Sequence, residues 1–315
     1  MRVLLVSRYK NKFKNHILPF VYEQGESLRK CGVDVDYFLI EGKGILSYFK
    51  SVKTLKHKIK EFAPNIVHAH YRLSGVTAVL QRNVPVVTTF HNGETLGFKQ
   101  NILSSIASLY NKHTIYVAQH IYDKAYFKRK KNYTIMPCGV TLEDLPVLDY
   151  NSTREKLGFK SDIKYILFGG AFSNLRKNYP LLKSAVKLIK DVKIDVIEMN
   201  GLSRMQTTEL MCACDVFALP SKSEGSPQAL KEAMACNCPI VATDIADIKH
   251  LLGNLPGHYI CSFEPEDVAK KIKLALDFKG RTNGRKRIIE LGLTNEQVAK
   301  KIISIYNQVL EKLHE

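Results

Sequence analysis

Two glutamates, Glu224 and Glu232, are separated by seven residues in a segment whose composition suits ligand binding. Glu224 follows a predicted strand, and Gly225-Ser226-Pro227 then predicts a turn that opens a helix, with Glu232 a little over one turn inside it. Free backbone N–H groups at such a helix start attract an anion or a sugar oxygen, and Gly225 lets the backbone come close to a ligand. Because ionised carboxylates only accept hydrogen bonds, the two glutamates suit two sets of hydroxyl groups on one extended ligand.

The elements that must position these residues are short β-branched runs that alternate with helical patterns, such as the one through Ile102, Ile106 and Leu109. This alternation predicts parallel sheets covered by helices on both faces, in which ligands bind outside the carboxyl ends of the strands. The predicted strands are Arg2–Val6, Val33–Ile40, Asn65–Ala69, Pro85–Phe90, Thr114–Ala118, Tyr133–Met136, Ile163–Phe168, Lys193–Glu198, Val216–Leu219, Pro239–Ala242 and Tyr259–Cys261.

Length and a break in the alternation predict two doubly wound α/β domains of similar size with a cleft between them. A single core seldom serves a chain of 315 residues. Residues 142–160 interrupt the pattern and are predicted to be the linker. We therefore expect an N-terminal domain over residues 1–145 and a C-terminal domain over 146–297. The last helix, capped by Thr294 and covering about residues 298–315, is expected to be able to pack back on the first domain.

Composition indicates a soluble intracellular protein with an affinity for phosphates. The formal net charge is +17, and the excess of basic residues is larger in the first half of the chain. Such charge attracts nucleic acid, anionic lipid headgroups or a phosphorylated small molecule. The seven cysteines contain no C-x-x-C pair, which argues against a disulfide framework or a zinc ribbon. No apolar run is long enough for a membrane span or a secretory signal.

The segment ALPSKSEGSPQALKEAMACNCPIVATDIA, Ala218–Ala246, resembles the family 4 glycosyltransferases, which are retaining enzymes of the GT-B fold. Their signature is a Glu, seven residues, Glu-Ala-Met-Ala and then Pro-(Ile/Val)-Val-Ala-Thr. The segments MRVLLVS, NIVHAHYRLSGVTAVL, VPVVTTFHNGE, IMPCGVTLEDL and ILFGGAFSNLRKNYPLLKSAV also resemble parts of this family, so the resemblance covers most of the chain. It is greatest to the subgroup that builds cell-surface polysaccharides. The resemblance implies two Rossmann-like domains that face each other across a cleft. The first, residues 1–145, would bind the acceptor, and the second, residues 146–297, would bind the nucleotide sugar.

The resemblance also implies roles for individual residues. Glu224 would accept hydrogen bonds from the transferred sugar, and Glu232 from the ribose of the nucleotide. Arg176 and Lys177 would neutralise the leaving diphosphate, and such charge stabilisation favours breaking its bond to the sugar. His91 would lie near the reacting carbon and the acceptor. The expected catalytic residues are His91, Lys177 and Glu224, and the expected donor-binding residues are Gly170, Arg176, Lys177, Glu224, Gly225, Ser226 and Glu232.

At the end of the first strand of the C-terminal domain, the chain departs from the family pattern. An arginine usually follows the glycine at the end of the first strand of the C-terminal domain, whereas this chain has Gly170-Ala171. One expected contact with the diphosphate is therefore missing.

The function that the resemblance implies is transfer of a sugar, with retention, from a nucleotide-diphosphate donor to an acceptor hydroxyl in surface polysaccharide or glycolipid synthesis. The acceptor is expected to be a glycan or to be lipid-linked. No metal and no other cofactor is expected, because Lys and Arg supply the positive charge. We expect a cytoplasmic protein whose basic first domain, with Lys53, Lys56 and Lys60, can contact the anionic inner face of the cell membrane. No nucleic-acid partner is expected.

Other functions stay open at this stage. A nucleotide-sugar epimerase or a glycan phosphorylase could use the same two-domain plan, and a polyanion-binding protein could use the charge alone. Asp34 and Asp36 resemble a metal-binding pair, but they alternate within a predicted strand and are interpreted as structural. His68 and His70 also alternate on a strand, with no third ligand at zinc spacing, and are likewise interpreted as structural.

Overall fold

The chain divides into two compact units. Unit 1 comprises Met1–Gly139 and Asn295–Glu315, and unit 2 comprises Val140–Thr294. The predicted roles of the two domains, acceptor binding and donor binding, stay predictions. The computed structural model describes residues 1–11, 14–91, 102, 108–125, 127 and 130–312.

Unit 1 is built on a parallel sheet of six strands. The strands are β1 (Arg2–Arg8), β2 (Asp34–Ile40), β3 (Ile66–His70), β4 (Val86–Phe90), β5 (His113–Tyr116) and β6 (Tyr133–Ile135). They are hydrogen-bonded in the order β2-β1-β3-β4-β5-β6. The helices of this part of the chain are α1 (Pro19–Lys30), α2 (Leu46–Phe62), α3 (Arg72–Leu80) and α4 (Gln119–Asp123), with a short 3₁₀ helix at Lys14–His16.

The core of unit 1 explains why these segments are strands and helices. All residues of β3 and β4 are buried, as expected for central strands of a parallel sheet covered on both faces. On one side, apolar residues of β1 and β3, such as Leu4 and Val67, pack with Leu55 and Ile59 of α2. Leu55 and Ile59 are four positions apart and so lie on the same side of α2.

Unit 2 is built on a parallel sheet of five strands. The strands are β7 (Lys164–Phe168), β8 (Ile194–Glu198), β9 (Val216–Leu219), β10 (Ile240–Thr243) and β11 (His258–Cys261). Their order in the sheet is β11-β10-β9-β7-β8. The helices of this unit are α5 (Tyr150–Lys156), α6 (Tyr179–Leu188), α7 (Arg204–Ala213), α8 (Gln228–Ala235), α9 (Ile248–Leu252), α10 (Pro265–Asp277) and α11 (Gly284–Glu290).

The strand order of each sheet reverses direction at one place. In unit 1 the chain builds outward on one side of β1 with β2 and on the other with β3. In unit 2 the same happens around β7, with β8 on one side and β9 on the other. Ligands of open α/β sheets bind at the carboxyl ends of the strands at such a switch point. Ligand-binding residues are therefore expected directly after β1 and β3 in unit 1, and directly after β7 and β9 in unit 2.

The last helix, α12 (Asn295–Glu311), belongs to unit 1 and packs against α1. It begins directly after the predicted cap Thr294. Its apolar stripe is buried, and the hydroxyl of Tyr306 lies 2.6 Å from Nδ1 of His68 on β3. In the described part of the chain, no helix has both the length and the apolar character needed to cross a bilayer.

Residues 142–160 differ from the prediction, because they lie in unit 2 and contain α5. The Asp149 carboxylate accepts a hydrogen bond from the backbone N–H of Ser152 and so caps this helix. Arg154 of α5 donates to Asp215, at 3.1 Å, and only 7% of the Asp215 side chain is exposed. This ion pair fixes α5 to the sheet, and no strand–helix periodicity in the sequence could have shown it.

The predicted strands agree with the observed ones within a few residues at each end. For Val216–Leu219 the predicted and observed bounds are the same. Most of the helix predicted through Ile106 lies outside the described residues.

Candidate functional site

The candidate site of unit 2 lies at its switch point. Gly169 and Gly170 follow β7, while Pro220 and Ser221 follow the neighbouring β9. The backbone N–H of Gly169 donates to the carbonyl of Ala218, so the two strand ends stay side by side. Two glycines and a strand exit at this place leave room for a ligand next to the backbone.

The central feature of the site is an ion pair between Lys177 and Glu224. The Lys177 ammonium lies 2.7 Å from Oε1 of Glu224, and the two side chains are only 14% and 8% exposed. Ser221 donates its hydroxyl to the same carboxylate oxygen, at 2.9 Å, and its carbonyl accepts from Thr243 at 2.7 Å. Both predicted catalytic residues of unit 2 are therefore brought together and held in a defined geometry.

Gly170 is needed because the stem of Lys177 lies across it. A Cβ at this position would be 2.7 Å from Cγ of Lys177 and 3.1 Å from its Cδ. Any larger residue would push the lysine stem away from its place beside Glu224. Gly170 thus lies beside Lys177, and its predicted role in donor binding stays a prediction.

Arg176 lies on the loop before α6, next to Lys177. Its backbone N–H donates to the side chain of Asn174, and its carbonyl accepts from the backbone N–H of Lys222, at 2.8 Å. These bonds join the loop after β7 to the loop after β9. The half-buried Arg176 side chain therefore leaves from a fixed backbone.

Glu232 lies one turn inside α8, as the sequence indicated, and is 8% exposed. Arg204, at the start of α7, donates to its Oε1 at 2.5 Å. A capping box between Ser203 and Gln206 fixes the first turn of α7 and hence the position of Arg204. Arg204 was not predicted, because nothing in its sequence spacing connects it with Glu232.

The turn between Glu224 and α8 is ordered by a polar contact. The Ser226 hydroxyl donates to Asp247 at 2.7 Å, while Gly225 is partly exposed. Pro227 caps α8, which begins at Gln228, one residue later than predicted. Helix α8 therefore starts close to the place where an anion-binding helix start was predicted, and the Ser226 side chain contacts Asp247.

A buried cation in α8 was also missed. Lys231 is completely inaccessible to solvent although it directly precedes Glu232. Lysines are almost never fully buried unless they are paired. The sequence contained a signal for this burial, because Lys231 and Glu232 are the two polar residues in the otherwise apolar segment 230–235.

His91, the third predicted catalytic residue, lies in unit 1 directly after β4. Its Nε2 is 3.0 Å from Nδ1 of His70, and its Nδ1 is 3.6 Å from Sγ of Cys138. The rings of Phe20 and Tyr71 pack beside it, with centroids 4.7 and 5.0 Å away. His91 thus has structural partners on both ring nitrogens, and its role beside the reacting carbon stays a prediction.

No group of three or more His, Cys, Asp or Glu side chains within the described ranges comes together in a way that could hold a metal ion. All seven cysteines are free thiols. The absence of a metal from the mechanism stays a prediction. The positively charged side chains described at the candidate site include Arg176, Lys177 and Arg204.

Two family models match the chain. The model described as "Glycosyltransferase Family 4" matches residues 19–144, and "Glycosyl transferases group 1" matches residues 160–277. The first match lies almost wholly in unit 1 and the second in unit 2.

Two curated relatives have low sequence identity to this chain, and their matches extend over much of it. It is 25% identical to an uncharacterized glycosyltransferase, MJ1178, of Methanocaldococcus jannaschii, covering 85% of this chain and 81% of that protein. It is 23% identical to the putative teichuronic acid biosynthesis glycosyltransferase TuaC of Bacillus subtilis, covering 64% of this chain and 58% of that protein.

Solved structures show the same fold over nearly the whole chain. A sucrose-phosphate synthase from Thermosynechococcus elongatus has a TM-score of 0.83 at 17% identity, covering 99% of both chains. The Anabaena protein Alr3699/HepE, solved with UDP-glucose, has a TM-score of 0.70 at 14% identity, covering 100% of this chain and 99% of that chain.

The two parallel α/β units and these structural neighbours show the GT-B fold, as the sequence predicted. Together the two family models cover most of the sequence. These matches and the named relatives identify the chain as a glycosyltransferase similar to family 4.

Proposed function

We propose that the protein transfers a sugar, with retention at the anomeric carbon, from a nucleotide-diphosphate donor to a hydroxyl group of a glycan or lipid-linked acceptor. The observation that carries this proposal is the Lys177–Glu224 ion pair at the switch point of unit 2. It places a cation and a hydrogen-bond acceptor side by side. A nucleotide-sugar donor needs both, because its diphosphate is anionic and its sugar carries hydroxyl groups.

The donor would exchange partners with this pair. The diphosphate attracts the Lys177 ammonium, and Arg176 on the same loop adds a second positive charge. Once Lys177 moves to the phosphate, Glu224 can accept hydrogen bonds from sugar hydroxyls, while Ser221 still holds its Oε1. Glu232, oriented by Arg204, would accept from the ribose hydroxyls.

Retention follows from how the leaving group is held. Breaking the bond to the diphosphate leaves an oxocarbenium-like sugar, whose leaving phosphate stays on one face, bound by Arg176 and Lys177. A phosphate oxygen on that face takes the proton of the acceptor hydroxyl, and the acceptor oxygen forms its bond on the same face. No carboxylate need form a covalent bond, because Glu224 serves as a hydrogen-bond acceptor.

The acceptor proposed here belongs to cell-surface polysaccharide or glycolipid synthesis, as the name of the Bacillus subtilis relative suggests. Exposed lysines on α2 support a contact with an anionic membrane surface. Lys53, Lys56 and Lys60 are exposed, and at the start of the same helix Leu46 and Phe49 are 67% and 42% exposed. Each lysine near an anionic membrane contributes about 1 kcal/mol.

Donor binding can be tested by thermal shift and calorimetry with UDP, GDP and ADP, followed by transfer assays with the matching nucleotide sugars. We expect one nucleoside diphosphate to stabilise the protein, and Lys177→Met to weaken its binding by about 10- to 100-fold, as loss of a charged hydrogen bond implies. Lys156→Met is the matched control, because the Lys156 side chain is 68% exposed and pairs with Glu209.

The chemistry can be tested with Glu224→Ala, which is expected to abolish transfer while circular dichroism shows an intact fold. Anomeric coupling constants of the product, measured by proton NMR, report retention directly. Treatment with EDTA is expected to leave the rate unchanged. An inverted product or near-normal turnover by Glu224→Ala would contradict the proposal. So would consumption of the nucleotide sugar in the absence of an acceptor, if the sugar is not simply hydrolysed.

A further inference from the structure

Three histidine rings form a row on unit 1, at the carboxyl ends of two neighbouring strands. His68 and His70 lie on β3, and His91 follows β4. The rings of His68 and His70 stack with centroids 4.6 Å apart, and those of His70 and His91 with centroids 5.3 Å apart. From the sequence, His68 and His70 were interpreted as structural, but in the structure His70 contacts His91, a predicted catalytic residue.

His68 is held from two sides. Its Nδ1 is 2.6 Å from the Tyr306 hydroxyl of α12, and its Nε2 is 2.7 Å from the Thr89 hydroxyl of β4. Burial lowers its pKa well below the usual range, so it stays neutral. His68 therefore gives His70 a fixed surface on which to stack.

His70 is neutral as well. Its side chain is completely buried, and burial lowers its pKa to about 3. A neutral imidazole carries one proton, either on Nδ1 or on Nε2. The contact between Nδ1 of His70 and Nε2 of His91, at 3.0 Å, can therefore run in either direction.

The surroundings of Nε2 of His70 decide the direction. Among the described residues this nitrogen has no hydrogen-bond partner. A proton on Nε2 would be a buried N–H group without an acceptor, which proteins rarely tolerate, whereas a bare lone pair there is less costly. The proton of His70 thus belongs on Nδ1, and His70 donates to Nε2 of His91.

The tautomer of His91 follows from this. Because its Nε2 accepts a hydrogen bond and so carries no proton, the ring proton of His91 lies on Nδ1. That N–H points toward Sγ of Cys138, 3.6 Å away. A thiol sulfur is a weak acceptor, so a ligand oxygen can replace it at small cost.

We propose that His70 is a positioning residue that holds His91 in its Nδ1–H tautomer, so that His91 acts on the substrate as a hydrogen-bond donor to a sugar oxygen. The role of His91 at the reaction centre rests on the proposed function. The tautomer does not, since it follows from contacts within unit 1. Phe20 and Tyr71 pack beside His91 and limit rotation of its ring.

The tautomer can be measured on the full-length protein by long-range proton–nitrogen NMR correlation of nitrogen-15-labelled histidines, since protonated and bare ring nitrogens have well-separated shifts. In the native protein we expect the His91 proton on Nδ1. In His70→Leu it is expected to move to a mixture of both tautomers. In His70→Asn, whose side-chain amide can donate from the place of Nδ1, the native tautomer is expected to return.

Transfer assays test the consequence for the reaction. With His70→Leu, kcat is expected to fall about 10- to 100-fold with little change in donor KM, because a poorly oriented group costs rate more than binding. His70→Asn is expected to recover most of the loss. Thr134→Val, which removes a hydrogen bond from His113, a histidine outside the row, is the matched control and is expected to stay within about 3-fold of the native rate.

A native His91 proton on Nε2, or an unchanged tautomer in His70→Leu, would overturn the proposal. So would failure of the asparagine to restore both the tautomer and the rate. Since the native spectrum alone tests the tautomer, a leucine variant that does not fold still leaves a decisive measurement. If His91→Ala transfers sugar at the native rate while the tautomer is as expected, then the proposed role of His91 at the reaction centre fails and the assigned tautomer stands.

Discussion

The Lys177–Glu224 pair offers a quantitative test of the candidate site. At 2.7 Å and an effective dielectric constant of about 20, two unit charges attract each other by ~6 kcal/mol. Desolvation offsets much of this, but removal of one partner leaves the other charge buried without this counter-charge, which typically costs about 3 kcal/mol. We therefore expect Lys177→Met to lower the free energy of unfolding by about 3 kcal/mol.

Glu224→Gln is expected to cost less, about 1 kcal/mol. The Lys177 side chain is flexible and 14% exposed, so its ammonium can turn toward water when the carboxylate is gone. The double variant is expected to resemble Glu224→Gln, since both charges are then absent. The coupling energy of the double-mutant cycle is thus about 2 to 3 kcal/mol.

Urea unfolding, followed by circular dichroism and by tyrosine fluorescence, provides the measurement, because the chain contains no tryptophan. The matched control is the Lys156–Glu209 pair, whose N–O distance is 2.5 Å but whose lysine side chain is 68% exposed. Its coupling energy is expected to stay below about 1 kcal/mol. If the two cycles give equal coupling energies, then Lys177 and Glu224 do not form a buried pair and the reasoning on the donor site is refuted.

Asp215→Asn is expected to lower the free energy of unfolding by about 3 kcal/mol, whereas Asp191→Asn in an exposed pair should change it by less than about 0.5 kcal/mol in the same urea assay. His70 has a pKa of about 3 in the folded protein and an ordinary value of 6.5, so only the unfolded chain gains its proton as the pH falls from 7 to 5. Stability should therefore decrease toward acid by up to about 1.4 kcal/mol per pH unit from this group, and His70→Asn should show a correspondingly shallower dependence. Arg204→Ala is expected to weaken nucleotide binding about 10-fold in calorimetry, because Glu232 loses the group that orients it; unchanged affinity would argue against this role.

Much of the fold follows from the sequence because each strand has its own local pattern. Parallel strands buried on both faces are nearly continuous apolar runs, and Val216–Leu219 in Ala-Cys-Asp-Val-Phe-Ala-Leu-Pro is such a run, ended by a proline. The turn at Gly225 and Pro227 marks the start of α8 within one residue. Patterns of this kind depend on neighbours in the chain, which the sequence shows directly.

The parts that were not predicted depend on contacts between distant residues. Arg204 donates to Glu232 across 28 positions of sequence, and His70 meets His91 because β3 and β4 are adjacent in the sheet. Segment 142–160 looked like a linker because its polar residues, such as Asp149, act as helix caps and surface groups. Helix α5 is short, and its attachment to the sheet comes from the ion pair with Asp215 rather than from an apolar stripe.

The discontinuity of unit 1 has a consequence for biosynthesis. Ribosomes synthesise the chain from its N-terminus, so α12 emerges only after every residue of unit 2 has been made. Until then the first 139 residues lack the helix whose Tyr306 reaches His68. Unit 2, by contrast, is one uninterrupted stretch, Val140–Thr294. It can therefore fold before α12, the helix that completes unit 1, has been synthesised. The N-terminal half of this protein is thus synthesised first and completed last.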